Sequence, residues 1–217
     1  MNILINGLYR SGNNWSEYLM NENIIGCTHV DINHFPLAHH PYFNWHDFHI
    51  MIFKNPYNWV NSIMRQSWDM PFFYDLEPTV GCEEVVINLG YPRETTKDKP
   101  IKKQYTISLQ KLIRCYNNYF YYWSNHLRGM TGKYVFVQYE QILADPEKFL
   151  DCICGKTGLK RKGVFTNSGT VHSSRDWVAS REQIYLDQPK MDKSISDVVR
   201  QDLDKDIMSM LGFQYLD

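Results

Sequence analysis

Between Gly7 and Asn14 the chain reads Gly7-Leu8-Tyr9-Arg10-Ser11-Gly12-Asn13-Asn14. Two glycines at this spacing let backbone N–H groups converge on an anion, and a helix that opens beside the second glycine adds its positive N-terminal end. Arg10 and Ser11 contribute a guanidinium and a hydroxyl, both donors to a tetrahedral anion. Loops of this kind that hold a nucleoside triphosphate continue with Lys, which reaches the outer phosphates, and then Ser or Thr, whose hydroxyl holds Mg²⁺. Here those two places are Asn13 and Asn14. The pattern therefore favours a transferable group that carries less charge than a γ-phosphate and needs no metal. A Mg-ATP-dependent small-molecule kinase stays open as an alternative, on the glycine spacing alone.

The elements around this loop must hold it in place. Asn2-Ile3-Leu4-Ile5-Asn6 is short, apolar and β-branched, and an amphipathic stretch follows from Trp15 to Met20, so the segment reads strand, glycine loop, helix. Phe48 to Phe53 repeats the grammar. It is a buried-strand run that leads through Lys54 to Asn55-Pro56, an N-cap and a first-turn proline, with a helix to about Arg65. Tyr134 to Tyr139 is the third strand candidate, and Asp145-Pro146-Glu147 starts a helix that runs to about Thr157. Strands that alternate with helices predict an α/β fold: three layers, a central parallel sheet, and a ligand at the strand C-termini.

Elsewhere the chain is read as support. Residues 66 to 103 mix aromatics with Pro71, Pro78, Gly81, Gly90 and Pro92 and are expected to form a long loop or lid. Gln104 to about Leu127 has the period of one long helix, in which Tyr116, Tyr119, Phe120 and Trp123 are scaffold. Helical periodicity returns from Asp192 to Leu211. With 217 residues and 43% hydrophobic side chains, a single domain over 1–217 is expected. The 23 basic and 24 acidic residues balance, so no overall field draws in nucleic acid or a membrane surface. The odd count of five cysteines, with no leader and no long apolar run, suggests a reducing, cytoplasmic setting. Neither the oligomeric state nor the acceptor is legible.

The segment Tyr9-Arg10-Ser11-Gly12-Asn13-Asn14-Trp15 resembles the 5′-phosphosulfate loop of the sulfotransferase family, usually Pro-Lys/Arg-Ser-Gly-Thr-Thr-Trp. Ile52 to Ser62, with Lys54, Asn55-Pro56 and Ser62, is similar to the family's 3′-phosphate segment, with lysine in place of the usual arginine. Gln138-Tyr139-Glu140-Gln141-Ile142-Leu143-Ala144-Asp145-Pro146 resembles the strand-Tyr-Glu-Asp-Leu-x-x-Asp-Pro block, and Met210 to Tyr215 the closing Leu-Gly-Tyr pattern. The resemblance implies a P-loop-like sulfotransferase fold that binds 3′-phosphoadenosine 5′-phosphosulfate as donor and releases 3′-phosphoadenosine 5′-phosphate. It implies Arg10 at the bridging oxygen, Ser11, Gly12, Asn13 and Asn14 around the phosphosulfate, Trp15 and Tyr139 at the adenine, and Lys54 and Ser62 at the 3′-phosphate.

Transfer to a hydroxyl or amine, on a small molecule or a saccharide, also requires a base. His34-Phe35-Pro36-Leu37-Ala38-His39-His40-Pro41 resembles the histidine segment of cytosolic sulfotransferases, which carries that role to His34. Glu17 is the alternative, by likeness to family branches that use a glutamate. For closure over the donor the resemblance offers two candidates, Arg161-Lys162-Gly163 and the Val171 to Trp177 segment with Arg175; Arg175 is preferred. No metal ligands are expected. A catalytically silent nucleotide-binding module is the rival from outside enzymes, because the loop lacks the family's threonines.

Overall fold

The computed structural model describes residues 1–8, 11–35, 46–65, 76–88, 106–127, 133–167 and 191–212, with the backbone alone at 29, 31–35, 65, 126 and 127. The chain groups into two compact units, Met1–Asn55 with Ser124–Gln188 and Pro56–Trp123 with Pro189–Asp217.

The first unit is α/β. Its sheet has four parallel strands, β1 (Asn2–Leu8), β3 (His29–Phe35), β4 (Phe48–Phe53) and β7 (Tyr134–Gln138), in the order β3-β1-β4-β7. One face of this sheet is read directly from the registers. Ile3 and Ile5 stand beside Phe48 and Ile50 on β4, and Ile52 stands beside Val137 on β7. These side chains form one core with Leu19 and Met20 of α1 (Asn13–Asn23), Tyr139 and Ile142 of α4 (Tyr139–Ala144), and Phe149, Leu150 and Ile153 of α5 (Pro146–Thr157). Each isoleucine is wholly buried, and such burial contributes about 1.5–3 kcal/mol per side chain. The alternate residues Leu4, Asn6, Leu8, His49, Met51 and Phe53 are buried as well. Burial on both faces is why β1 and β4 read as continuous apolar runs and not as alternating ones.

Local signals set the helix ends. Asp145 accepts from the Lys148 N–H at 2.9 Å, Pro146 takes the first turn of α5, and Gly158 closes it at φ 72°. A two-stranded antiparallel pair, β2 (Ile24–Ile25) with β8 (Lys160–Arg161), straps the C-terminal end of α1. There Asn23 donates to the Leu19 and Thr166 carbonyls, both at 2.8 Å, and accepts from the Thr166 N–H.

The second unit holds α2 (Pro56–Arg65), the hairpin-paired β5 (Val86–Asn88) and β6 (Thr106–Ser108), α3 (Leu109–Leu127) as far as Trp123, α6 (Lys193–Asp202) and α7 (Lys205–Leu211). Trp59 of α2 meets Tyr116 of α3 at 5.4 Å between ring centroids, and Tyr116 in turn meets Phe120 at 5.2 Å. Tyr116, Tyr119, Phe120 and Trp123 are buried scaffold, as their helical spacing predicts. Asn117 ties α3 to the α6–α7 joint: its amide donates to the Asp202 carbonyl at 2.9 Å and its oxygen accepts from the Asp204 N–H at 3.2 Å.

Four expectations are corrected. His29–Phe35, to which the sequence reading assigned no element, is a strand paired along the whole of β1. Within 66–103, the described residues 76–88 include β5, paired to β6. The helix expected from Gln104 begins at Leu109, because Thr106-Ile107-Ser108 extends to pair with β5 and Ser108 Oγ then accepts from the Lys111 N–H at 3.2 Å as an N-cap. The helical stretch from Asp192 is two helices, because Asp204 starts a new one by accepting from the Asp206 and Ile207 N–H groups at 2.8 and 3.0 Å.

Among the described residues no helix is long and apolar enough to cross a membrane.

Candidate functional site

In this strand order β1 feeds β3 on one side through α1, and the chain then returns to place β4 on the other side of β1. The gap above the C-terminal ends of β1 and β4 is thus a topological switch point, where open parallel sheets bind their ligands. The glycine loop leaves β1 at that point, and Lys54 leaves β4 at the same level.

Two close approaches shape the loop. A Cβ on Gly7 would overlap the Asn13 carboxamide, so the side chain at the start of α1 folds back onto the end of β1. Gly12 sits at φ 89° and a Cβ there would overlap the Tyr139 ring. A turn in which the Ser11 N–H donates to the Leu8 carbonyl at 3.0 Å closes the loop, and α1 starts directly after it. The first turn of α1 holds no acidic side chain, so its positive end is not cancelled. Ser11 is fully buried, and its hydroxyl has no hydrogen-bond partner among the described residues. A buried hydroxyl left in that state costs free energy unless another donor or acceptor reaches it.

Lys54 is only 3% exposed. Its ammonium lies 4.5 Å from the centroid of the Tyr139 ring, a cation–π contact. Trp15, half-buried on α1, meets the same ring edge-on at 6.0 Å. Tyr139 therefore has the glycine loop, Trp15 and Lys54 around it. Glu140, the next residue, accepts the Asn55 N–H on both carboxylate oxygens at 3.1 and 3.2 Å. A buried lysine, a buried hydroxyl and the start of a helix gathered with two aromatic rings at the end of a sheet can hold an anion attached to a flat aromatic system.

The site residues expected from sequence divide as follows. Ser11, Gly12, Asn13, Trp15, Lys54 and Tyr139 converge in the first unit, and Asn14 is exposed in the first turn of α1. His34 stands one residue from the end of β3 and is the register partner of Gly7, which brings its backbone beside the start of the loop. Glu17 lies one turn along α1 from Asn13 and is half-buried. Ser62 is buried on α2, in the second unit. Arg10 and Arg175 lie outside the described residues.

Arg161-Lys162-Gly163 lies at the C-terminal end of α1, the end away from the glycine loop. Arg161 pairs with Asp151 at 2.7 Å and Glu147 at 3.1 Å, and Lys162 Nζ donates to the Asn21 carbonyl at 2.9 Å. An 11-residue helix separates this strap from the loop, about 15 Å at the usual rise. Its letters match a donor motif, but its charges are spent on α5 and on the helix end. Sequence reasoning assigned no role to Glu140; the readable signal was an acid directly after the tyrosine that follows a strand.

No protein-family model matches the chain, and comparison with curated proteins and with solved structures gives no match either.

Proposed function

We propose that this chain is a sulfotransferase that moves a sulfuryl group from 3′-phosphoadenosine 5′-phosphosulfate to a hydroxyl or amine of a small molecule or saccharide, within a three-layer, P-loop-like sulfotransferase fold. One observation carries the reading. At the switch point of a parallel sheet, a glycine loop with Asn13-Asn14 in place of Lys-Ser/Thr stands beside a buried lysine and an aromatic pair. Two features of the cradle support the donor reading: the Ser11 hydroxyl is buried with no hydrogen-bond partner among the described residues, and a Cβ on Gly7 or Gly12 would overlap a neighbouring side chain.

In this reading the loop N–H groups, Ser11, Gly12, Asn13 and Asn14 hold the 5′-phosphosulfate, Lys54 holds the 3′-phosphate, and Trp15 and Tyr139 flank the adenine. Arg175 closes over the bound donor. His34, or Glu17 in its place, takes the proton of the acceptor as its oxygen or nitrogen forms the new bond to sulfur. The sulfur–oxygen bond to the 5′-phosphate breaks in line with that attack, and Arg10 neutralises the oxygen that departs.

The test is calorimetric titration of 3′-phosphoadenosine 5′-phosphate in EDTA, with ATP as the control. Metal-free binding is expected, weakened about 10- to 100-fold in Arg10→Ala and Lys54→Ala, the scale of a lost charge-assisted hydrogen bond. No binding would overturn the reading, and binding of ATP alone, on addition of Mg²⁺, would overturn it in favour of a kinase. Binding without turnover on any acceptor would identify a silent nucleotide-binding module.

A further inference from the structure

We propose that Glu140 is a positioning residue of this site, one that holds Lys54 in register for the anion; the inference rests on the reading of Lys54 given above. β4 and β7 run side by side to the pair Phe53 and Gln138, where the ladder ends. From there β7 turns at once into α4, so the β4–β7 ladder does not extend to Lys54-Asn55. Pro56 follows and has no N–H. The Asn55 N–H is therefore the last backbone donor by which this exit is held before α2, and it is bound by Glu140.

The geometry of that contact is that of a clamp. Both oxygens of a carboxylate 8% exposed share one N–H, at 3.1 and 3.2 Å. The preceding side chain, Tyr139, lies under the Lys54 ammonium at 4.5 Å. Two successive residues of α4 thus hold two successive residues after β4, one through the backbone and one through the side chain. A carboxylate adds nothing to the attraction of an anion, so what Glu140 supplies to the site is the direction in which Lys54 leaves the sheet.

Two substitutions separate reach from charge. Glu140→Gln keeps an acceptor oxygen at the same distance and loses the charge; Glu140→Asp keeps the charge and draws the oxygen back by one methylene. Binding of 3′-phosphoadenosine 5′-phosphate and of inorganic pyrophosphate is measured by calorimetry on the full chain, with urea midpoints taken alongside. Glu140→Gln is expected to bind within about 3-fold of the native chain and Glu140→Asp about 10-fold more weakly, the scale of one lost hydrogen bond to a charged group. Because the effect runs through Lys54, Glu140→Asp should cost nothing further in a Lys54→Met background, the mark of coupled sites.

Equal loss in both Glu140 variants, unchanged binding in Glu140→Asp, or additive losses with Lys54→Met would overturn the proposal while leaving the donor reading intact. Pyrophosphate binding that follows the expected pattern, with no preference for the adenosine ligand, would uphold Glu140 and remove the sulfotransferase reading. Failure of the native chain to bind either ligand would overturn both.

Discussion

Replacement of Gly12 by alanine tests the loop geometry through two separable costs. Gly12 sits at φ 89°, in the left-handed region, where a Cβ costs about 1–2 kcal/mol. The same Cβ would overlap Cε2 and Cδ2 of the Tyr139 ring, which is 3% exposed and has little room to retreat. Overpacking of this kind costs about 1–3 kcal/mol. Gly12→Ala is thus expected to lose about 2–5 kcal/mol in urea unfolding, well above the scale of an ordinary surface change. The second cost depends on the ring. In a Tyr139→Val background, which lacks the overlapping atoms, Gly12→Ala should cost only the backbone part, about 1–2 kcal/mol. An equal cost in both backgrounds would refute the contact between Gly12 and Tyr139. A total cost below about 0.5 kcal/mol would refute the left-handed loop itself, and with it the convergence of the loop, Tyr139 and Lys54.

His49 makes stability depend on pH. Burial, and then the positive charges of His46 and Lys133, lower its pKa from 6.5 to about 4. A folded-state pKa below the unfolded one means that stability is complete above pH 6.5 and falls as pH drops from 6.5 towards 4, by about 2 kcal/mol at pH 5. Urea unfolding between pH 7.5 and 5 should show that loss in the native chain and a flatter profile in His49→Gln; parallel profiles would refute it. Asp204 caps α7 through two N–H groups and also accepts from the Tyr121 hydroxyl. Asp204→Ala should cost about 1–2 kcal/mol in thermal or urea unfolding, and Asp204→Asn much less, since asparagine caps as well as aspartate.

Much of the first unit was legible because its signals are local. β1 and its loop, β4 with Asn55-Pro56, β7, and α5 between Asp145 and Gly158 all announce themselves by a buried-strand run or a cap within a few residues. β3 did not, because His29-Val30-Asp31-Ile32-Asn33-His34-Phe35 is half polar and its extended backbone is set by pairing along β1. It lies at the edge of the four-stranded sheet, where polar residues are tolerated. The extension at Thr106–Ser108 was hidden in the same way, since its partner β5 lies in a stretch with no clear period.

Residue types and spacing by themselves determined an α/β chain with a parallel sheet and a glycine loop at the start of a helix, because caps, turns and apolar runs act over a few neighbours. Only the tertiary structure decided that Tyr139 lies against Gly12 and beneath Lys54, and that Glu140 binds the backbone of Asn55. It also pairs Arg161 with Glu147 and Asp151, at the far end of α1 from the glycine loop. These contacts join residues far apart in the chain. They follow from strand order, register and burial, which fix which side chains meet, and those are properties of the packed sheet and not of any one segment.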